Sequence, residues 1–158
     1  MRMARIVSIL IGLVTATMGV WVSQCPCDRN PGAWLFGEAV DVAVTDWGFA
    51  NDAGLCQLEV SGLIPHSINL NCMADDGDLF VSCARCDGKH WSTVAMEKPY
   101  GRIKIDNSVY PVTMVRVRDG ATLDRAWLAR AKKRRDRSTN TFRQPRPSHW
   151  WSFHLESY

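Results

Sequence analysis

Alternating apolar and polar residues predict β-strands through the middle of the chain. Cys56, Leu58 and Val60 alternate with polar neighbours, as the inward positions of a half-buried strand should. The same period of two recurs further along, so we expect one antiparallel sheet. The predicted strands are residues 55–60, 67–73, 79–84, 102–106, 109–117 and 150–155, and the residues predicted to be buried are Cys56, Leu58, Leu70, Val81, Ile103 and Val115.

Two tight turns join neighbouring strands. Asp76-Gly77 and Asp106-Asn107 suit the centre of a hairpin because Asp, Asn and Gly tolerate the positive φ that such turns need. The first turn places Cys72 opposite Val81 and only diagonal to Cys83. A diagonal pair is marginally spaced for a disulfide, so the pairing of Cys72 stays open at this point.

Two helices are predicted between the strands. The spacing of apolar residues favours a short helix over residues 87–97, which ends before Pro99. A second helix is predicted from Thr122, which can cap it, to about Arg134. The expected fold class is therefore mainly β with short helices, of the α+β type.

The N-terminus carries an uncharged hydrophobic segment. Arg2 and Arg5 precede a run from Ile6 to Val22 without a charged residue, so residues 1–23 are predicted to be a signal anchor or a signal peptide. A helix of this length just spans a hydrocarbon core of about 30 Å. Because arginines favour the inner side, we expect a transmembrane helix in the inner membrane and a domain facing the periplasm or cell exterior. Secretion after cleavage is the alternative.

One domain is expected behind this segment. Residues 24–38 contain Pro26, Gly32 and Gly37 among polar residues and are predicted to be a linker, and residues 39–158 form the domain. The net charge of +3 is too small to indicate a nucleic-acid partner. The expected partners are the membrane and an unidentified component of the envelope.

Six cysteines suit a disulfide-stabilised domain outside the cytoplasm. They are Cys25, Cys27, Cys56, Cys72, Cys83 and Cys86. An even number on the outer side of a membrane is most simply explained by disulfides, although the sequence cannot choose among their connectivities. We expect no metal site, because Cys25-x-Cys27 lacks the spacing of a zinc knuckle. Thiol–disulfide exchange through Cys83-x-x-Cys86 ranks low, because that motif does not follow a strand in a βαβ unit.

The order of these elements resembles the FMN-binding split-barrel superfamily, which includes pyridoxamine-phosphate-oxidase-like and deazaflavin-dependent reductase-like proteins. The matching features are Leu55 to Val60, Pro65 to Asn71, the Asp76-Gly77 turn, Leu79 to Ser82, Arg85, Lys89, Pro99, Arg102 to Ile105, and Trp150 to Phe153. The resemblance implies an antiparallel split β-barrel, preceded here by a transmembrane or signal helix. It also implies FMN or a deazaflavin as cofactor, oxidoreductase-like activity and pairing into a homodimer.

The resemblance further implies which residues would hold a cofactor. In cofactor-binding members the end of the third strand and the following helix hold the flavin phosphate, which points to Ser82, Arg85, Lys89 and Thr93. His66 and Asn69 would then lie near the ring system. A hydroxyl, two cations and a helix N-terminus suit a phosphate dianion. No catalytic residue is identified, and a non-catalytic, disulfide-stabilised binding module of the cell envelope without a cofactor is the alternative.

Overall fold

The strands close into a barrel. The computed structural model describes residues 2–22, 26, 30–135 and 145–158. Its elements are α1 (Arg2–Val22), β1 (Glu38–Ala39), a 3₁₀ helix (Gly48–Asn51), β2 (Cys56–Val60), β3 (His66–Asp75), β4 (Asp78–Cys83), α2 (His90–Glu97), β5 (Tyr100–Ile105), β6 (Ser108–Arg116), α3 (Gly120–Arg135) and β7 (Trp151–Ser157). The strand order is β6-β5-β2-β3-β4-β7, and β7 pairs back with β6 to close the ring. The short strand β1 adds to β6 in parallel.

The two predicted hairpin turns are confirmed. Asp76, Gly77 and Asp106 have φ values of 52°, 82° and 53°, the left-handed conformation that these residues tolerate. The first turn sets the register of β3 and β4, and Cys72 lies opposite Val81 as predicted.

The barrel interior is lined by the alternating residues of the strands. The predicted burial is confirmed for Cys56, Leu58, Leu70, Val81 and Ile103. It is wrong for Val115, which is 47% exposed, because Val112 and Met114 are the inward residues at that end of β6. The alternation of β6 was ambiguous, since apolar residues occupy both of its faces.

Helix α3 covers part of the barrel's outer face. Ala126 and Trp127 pack with Met73 and Phe80, the outward residues of β3 and β4. The helix begins earlier than predicted because Asp119, not Thr122, supplies the cap. Asp119 Oδ1 accepts hydrogen bonds from the backbone N–H groups of Ala121 at 2.9 Å and Thr122 at 3.2 Å.

Among the residues that the structure describes, two disulfides stabilise the barrel. Cys56–Cys72 joins β2 to β3 inside the core, and Cys83–Cys86 closes the segment that follows β4. Cys25 and Cys27 lie outside the described residues. Part of the predicted linker packs on the barrel: Ala33 and Leu35 are buried, and Gly32 bridges to Ser67.

The N-terminal segment forms the expected continuous helix, α1, whose apolar side chains from Ile6 to Val20 are exposed. The predicted inner-membrane localisation is wrong. Among the described residues, no helix combines the length and the apolar character that a bilayer crossing requires.

Candidate functional site

The segment predicted to hold a phosphate is a tight loop between β4 and α2. The Cys83–Cys86 disulfide closes it, and Arg85 and Gly88 adopt positive φ values of 88° and 72°. Ser92 then ties the loop to α2, because its hydroxyl donates to the carbonyl oxygens of Cys86 and Lys89. The backbone of this loop is therefore constrained at both ends.

Ser82 differs from the cations of the loop in its exposure to solvent. It lies on β4 between Asn71 of β3 and Ser152 of β7, and it is only 3% exposed. Its hydroxyl has no hydrogen-bond partner among the described residues. Arg85 and Lys89, in contrast, are exposed to solvent.

The other predicted cofactor residues already have partners. The Thr93 hydroxyl donates to the carbonyl oxygen of Lys89 at 3.1 Å. The His66 ring packs edge-on against His90, with 4.9 Å between the ring centroids. Asn69 Nδ2 donates to the carbonyl oxygen of Pro26 at 3.0 Å.

Two cavities in the described part of the chain, of about 340 and 170 Å³, are lined by none of the six predicted residues. On the core side of the loop, Cys86 and Trp91 are buried, and Trp91 packs against Phe153 with 5.2 Å between ring centroids. The space behind the loop is thus occupied by the protein's own side chains.

A different site was missed by sequence reasoning. A cavity of about 340 Å³, called the basic cavity below, opens between the C-terminal half of α3 and the barrel. It is lined by Gly54, Leu55, Asn71, Cys72, Arg130, Lys133 and Arg134. The signal was the spacing of Arg130, Lys133 and Arg134, which places three cations on one face of a helix.

Comparison with known proteins identifies the fold. No protein-family model and no curated protein matches the chain. A solved structure from Bacteroides thetaiotaomicron, provisionally assigned as a 5-nitroimidazole antibiotic resistance protein, aligns with a TM-score of 0.56 at 9% identity, covering 85% of this chain and 91% of that one. A Listeria innocua protein, provisionally assigned as a pyridoxamine 5'-phosphate oxidase, aligns with a TM-score of 0.52 at 12% identity, covering 69% and 87%. The chain has the split-barrel fold.

The split barrel confirms the resemblance drawn from the order of elements. At 9% and 12% identity the likeness extends to the fold alone, so it does not transfer site residues. Ser82, Arg85, Lys89, Thr93, His66 and Asn69 remain predictions as cofactor contacts.

His66 of the split barrel is expected to make stability depend on pH. Burial, and secondarily the charge of His90, lowers the pKa of His66 below its ordinary value. The unfolded chain therefore takes up this proton more readily than the folded one. Above about pH 6.5 this group does not lower the free energy of unfolding, and the free energy of unfolding decreases as the pH falls below that value. Urea unfolding at about pH 7.5 and about pH 5.5 should show this loss, and His66→Gln should reduce it. Equal losses in wild type and His66→Gln, with exposed His149→Gln as the control, would contradict this assignment.

Proposed function

We propose that this split barrel is a disulfide-stabilised binding module that works without a flavin. The observation that carries the proposal is the difference in exposure among the residues that would hold a flavin phosphate. A phosphate dianion is held by several charge-assisted donors that converge on it. Here Ser82 is buried while Arg85 and Lys89 are exposed.

The loop itself is a poor cradle for a phosphate group. Its disulfide and the hydrogen bonds from Ser92 hold it closed upon α2. Opening the loop around a ligand would break the hydrogen bonds from Ser92, while the disulfide would still limit how far the loop can open. The residues present therefore do not fit a flavin phosphate, and we derive no redox step for this chain.

Flavin or deazaflavin binding is the second candidate. The fold likeness to a protein provisionally assigned as a pyridoxamine 5'-phosphate oxidase supports it. Arg85 and Lys89 also lie close to the start of α2, where a helix favours anions. This candidate requires the two cations to be the principal contacts of the cofactor.

Absorbance and titration of the purified full chain separate the two candidates. We expect no flavin bands in the visible spectrum and no saturable binding when FMN or a deazaflavin is added. Arg85→Gln and Lys89→Gln should then behave as the wild type does.

The opposite outcome is equally specific. If FMN binds, and if Arg85→Gln or Lys89→Gln weakens that binding by about tenfold or more, the binding module should be abandoned in favour of a flavoprotein. Lys98→Gln is the matched control, since it removes an exposed cation from the other end of α2.

A further inference from the structure

The strongest unassigned feature of the molecule is the basic cavity. Its volume of about 340 Å³ lies within the range of roughly 300–1,000 Å³ that is typical of small-molecule sites. Three of its lining residues are cations and, among the described residues, none is a carboxylate. The side chains that line the cavity therefore carry positive charge and no negative charge.

Lys133 places a fixed positive charge in the wall of this cavity. Its side chain is largely buried, with the residue 8% exposed, and Nζ donates to the carbonyl oxygens of Ala50 at 2.7 Å and Cys72 at 2.6 Å. Nζ also lies 3.4 Å from Cys72 Sγ. These contacts hold α3 against β3 and the 3₁₀ helix, so a ligand would meet a charge that is already in position.

Arg130 and Arg134 add two positive charges to the face of α3 that carries Lys133. Arg130 and Arg134 are one helical turn apart, and like charges at this spacing disfavour a helix. Burial, and then the neighbouring charge of Arg134, lowers the pKa of Arg130. The guanidinium of Arg130 is also positioned over the Trp127 ring, 5.1 Å from its centroid.

The helix dipole alone does not explain this arrangement. Cations are favoured in the last turn of any helix, and exposed Lys132 satisfies that preference at the surface. Burying Lys133 and partly burying Arg130 adds a desolvation cost that the dipole does not require. Charges held together at such a cost are a common feature of binding sites.

The rest of the cavity wall is mostly apolar. Leu55 is 52% exposed at the cavity, although it is a large aliphatic residue. The Cys56–Cys72 disulfide lies behind the wall, and Asn71 adds one amide. A ligand that covers Leu55 must therefore carry an apolar part next to its charge.

We propose that the basic cavity binds a small organic phosphate monoester. Arg130 and Arg134 donate to its phosphate oxygens, since guanidinium groups bind phosphate in a bidentate manner. Lys133 contributes its fixed charge, and Leu55 packs against the apolar body. This assignment names the ligand class of the binding function proposed above and rests on the chain being a binding module, with or without a flavin.

Phenyl phosphate is the probe, compared by calorimetry with inorganic phosphate and with phenol. We expect saturable binding of phenyl phosphate, weaker binding of inorganic phosphate and none of phenol. Arg134→Gln should weaken phenyl phosphate binding by about tenfold or more, the loss expected for one charge-assisted contact. Lys132→Gln removes the same charge from the exposed side of α3 and should change the affinity by less than about twofold. Leu55→Asn should weaken phenyl phosphate binding but not that of inorganic phosphate.

Three results would overturn the proposal. The first is the absence of saturable phenyl phosphate binding to the folded wild type. The second is an equal loss in Arg134→Gln and Lys132→Gln, which would indicate diffuse attraction. The third is binding to phosphatidate vesicles but not to phenyl phosphate, which would assign the phosphate to a lipid.

The two proposals fail in different ways. FMN binding that is lost in Arg85→Gln but retained in Arg134→Gln refutes the module without a flavin. If FMN binding is instead lost in Arg134→Gln but retained in Arg85→Gln, the module without a flavin is also refuted. That result would support binding of an organic phosphate in the basic cavity.

Discussion

Replacing Arg102 with methionine is expected to lower the free energy of unfolding by about 2–3 kcal/mol. The Arg102 guanidinium donates to both carboxylate oxygens of Glu59, from Nε at 2.8 Å and from Nη2 at 2.6 Å, and Leu35 N–H donates to the same carboxylate at 2.6 Å. Removing one partner of a buried ion pair costs about 3–5 kcal/mol. We expect less here because the side chain of Arg102 is 39% exposed and water can reach Glu59 after the change.

Urea unfolding of three variants checks this expectation. Arg102→Lys keeps the charge but loses the planar fork, so its stability should lie between those of wild type and Arg102→Met. Lys104→Met is the matched control on the same strand, since Lys104 Nζ donates to the Phe36 carbonyl oxygen near the surface and, among the described residues, makes a single neutral contact there. A loss in Arg102→Met no larger than that in Lys104→Met would show that the Glu59 pair is unimportant.

Removing the Cys56–Cys72 disulfide is expected to cost about 3 kcal/mol. This disulfide joins residues 16 apart in sequence, so it restricts the unfolded chain more than a short link would. Both cysteines are fully buried, and the double alanine variant also loses packing in the barrel interior.

The second disulfide supplies the comparison. Cys83–Cys86 joins residues only 3 apart, for which the same chain-entropy argument gives about 2 kcal/mol. Urea unfolding of Cys56→Ala/Cys72→Ala and of Cys83→Ala/Cys86→Ala under non-reducing conditions should therefore show the larger loss in the first. The reverse order would mean that loop closure does not determine the contribution of these bonds.

The wrong prediction for Val115 shows when an alternating pattern cannot predict which face of a strand is buried. A period of two predicts which residues share a face, but the choice of the buried face depends on one face being polar. In β6 buried apolar residues fall in both phases: Val109 is buried beside β1, and Val112 and Met114 are buried in the other phase. The strand therefore carries apolar residues in both phases, and only the closed sheet decides between them.

The predicted cofactor residues show a related limit. The resemblance implied that Ser82, Arg85 and Lys89 hold one phosphate group. In the structure Ser82 is buried on β4, whereas Arg85 and Lys89 of the following loop are exposed. The side chains of a binding site must point toward the same ligand as well as lie close together in the sequence. The direction of a side chain depends on the packing around it.

Local chemistry in the sequence determined the elements that depend on neighbouring residues. The Asp76-Gly77 turn, the strand that follows it and the helix ending before Pro99 were all predicted, because turn conformations and side-chain periods act over a few residues. The tertiary structure alone decided the inward face of β6, the pairing of Cys56 with Cys72 and the burial of Lys133. These features join segments far apart in the chain, and their free energy comes from contacts that exist only after the barrel has closed and α3 has packed onto it.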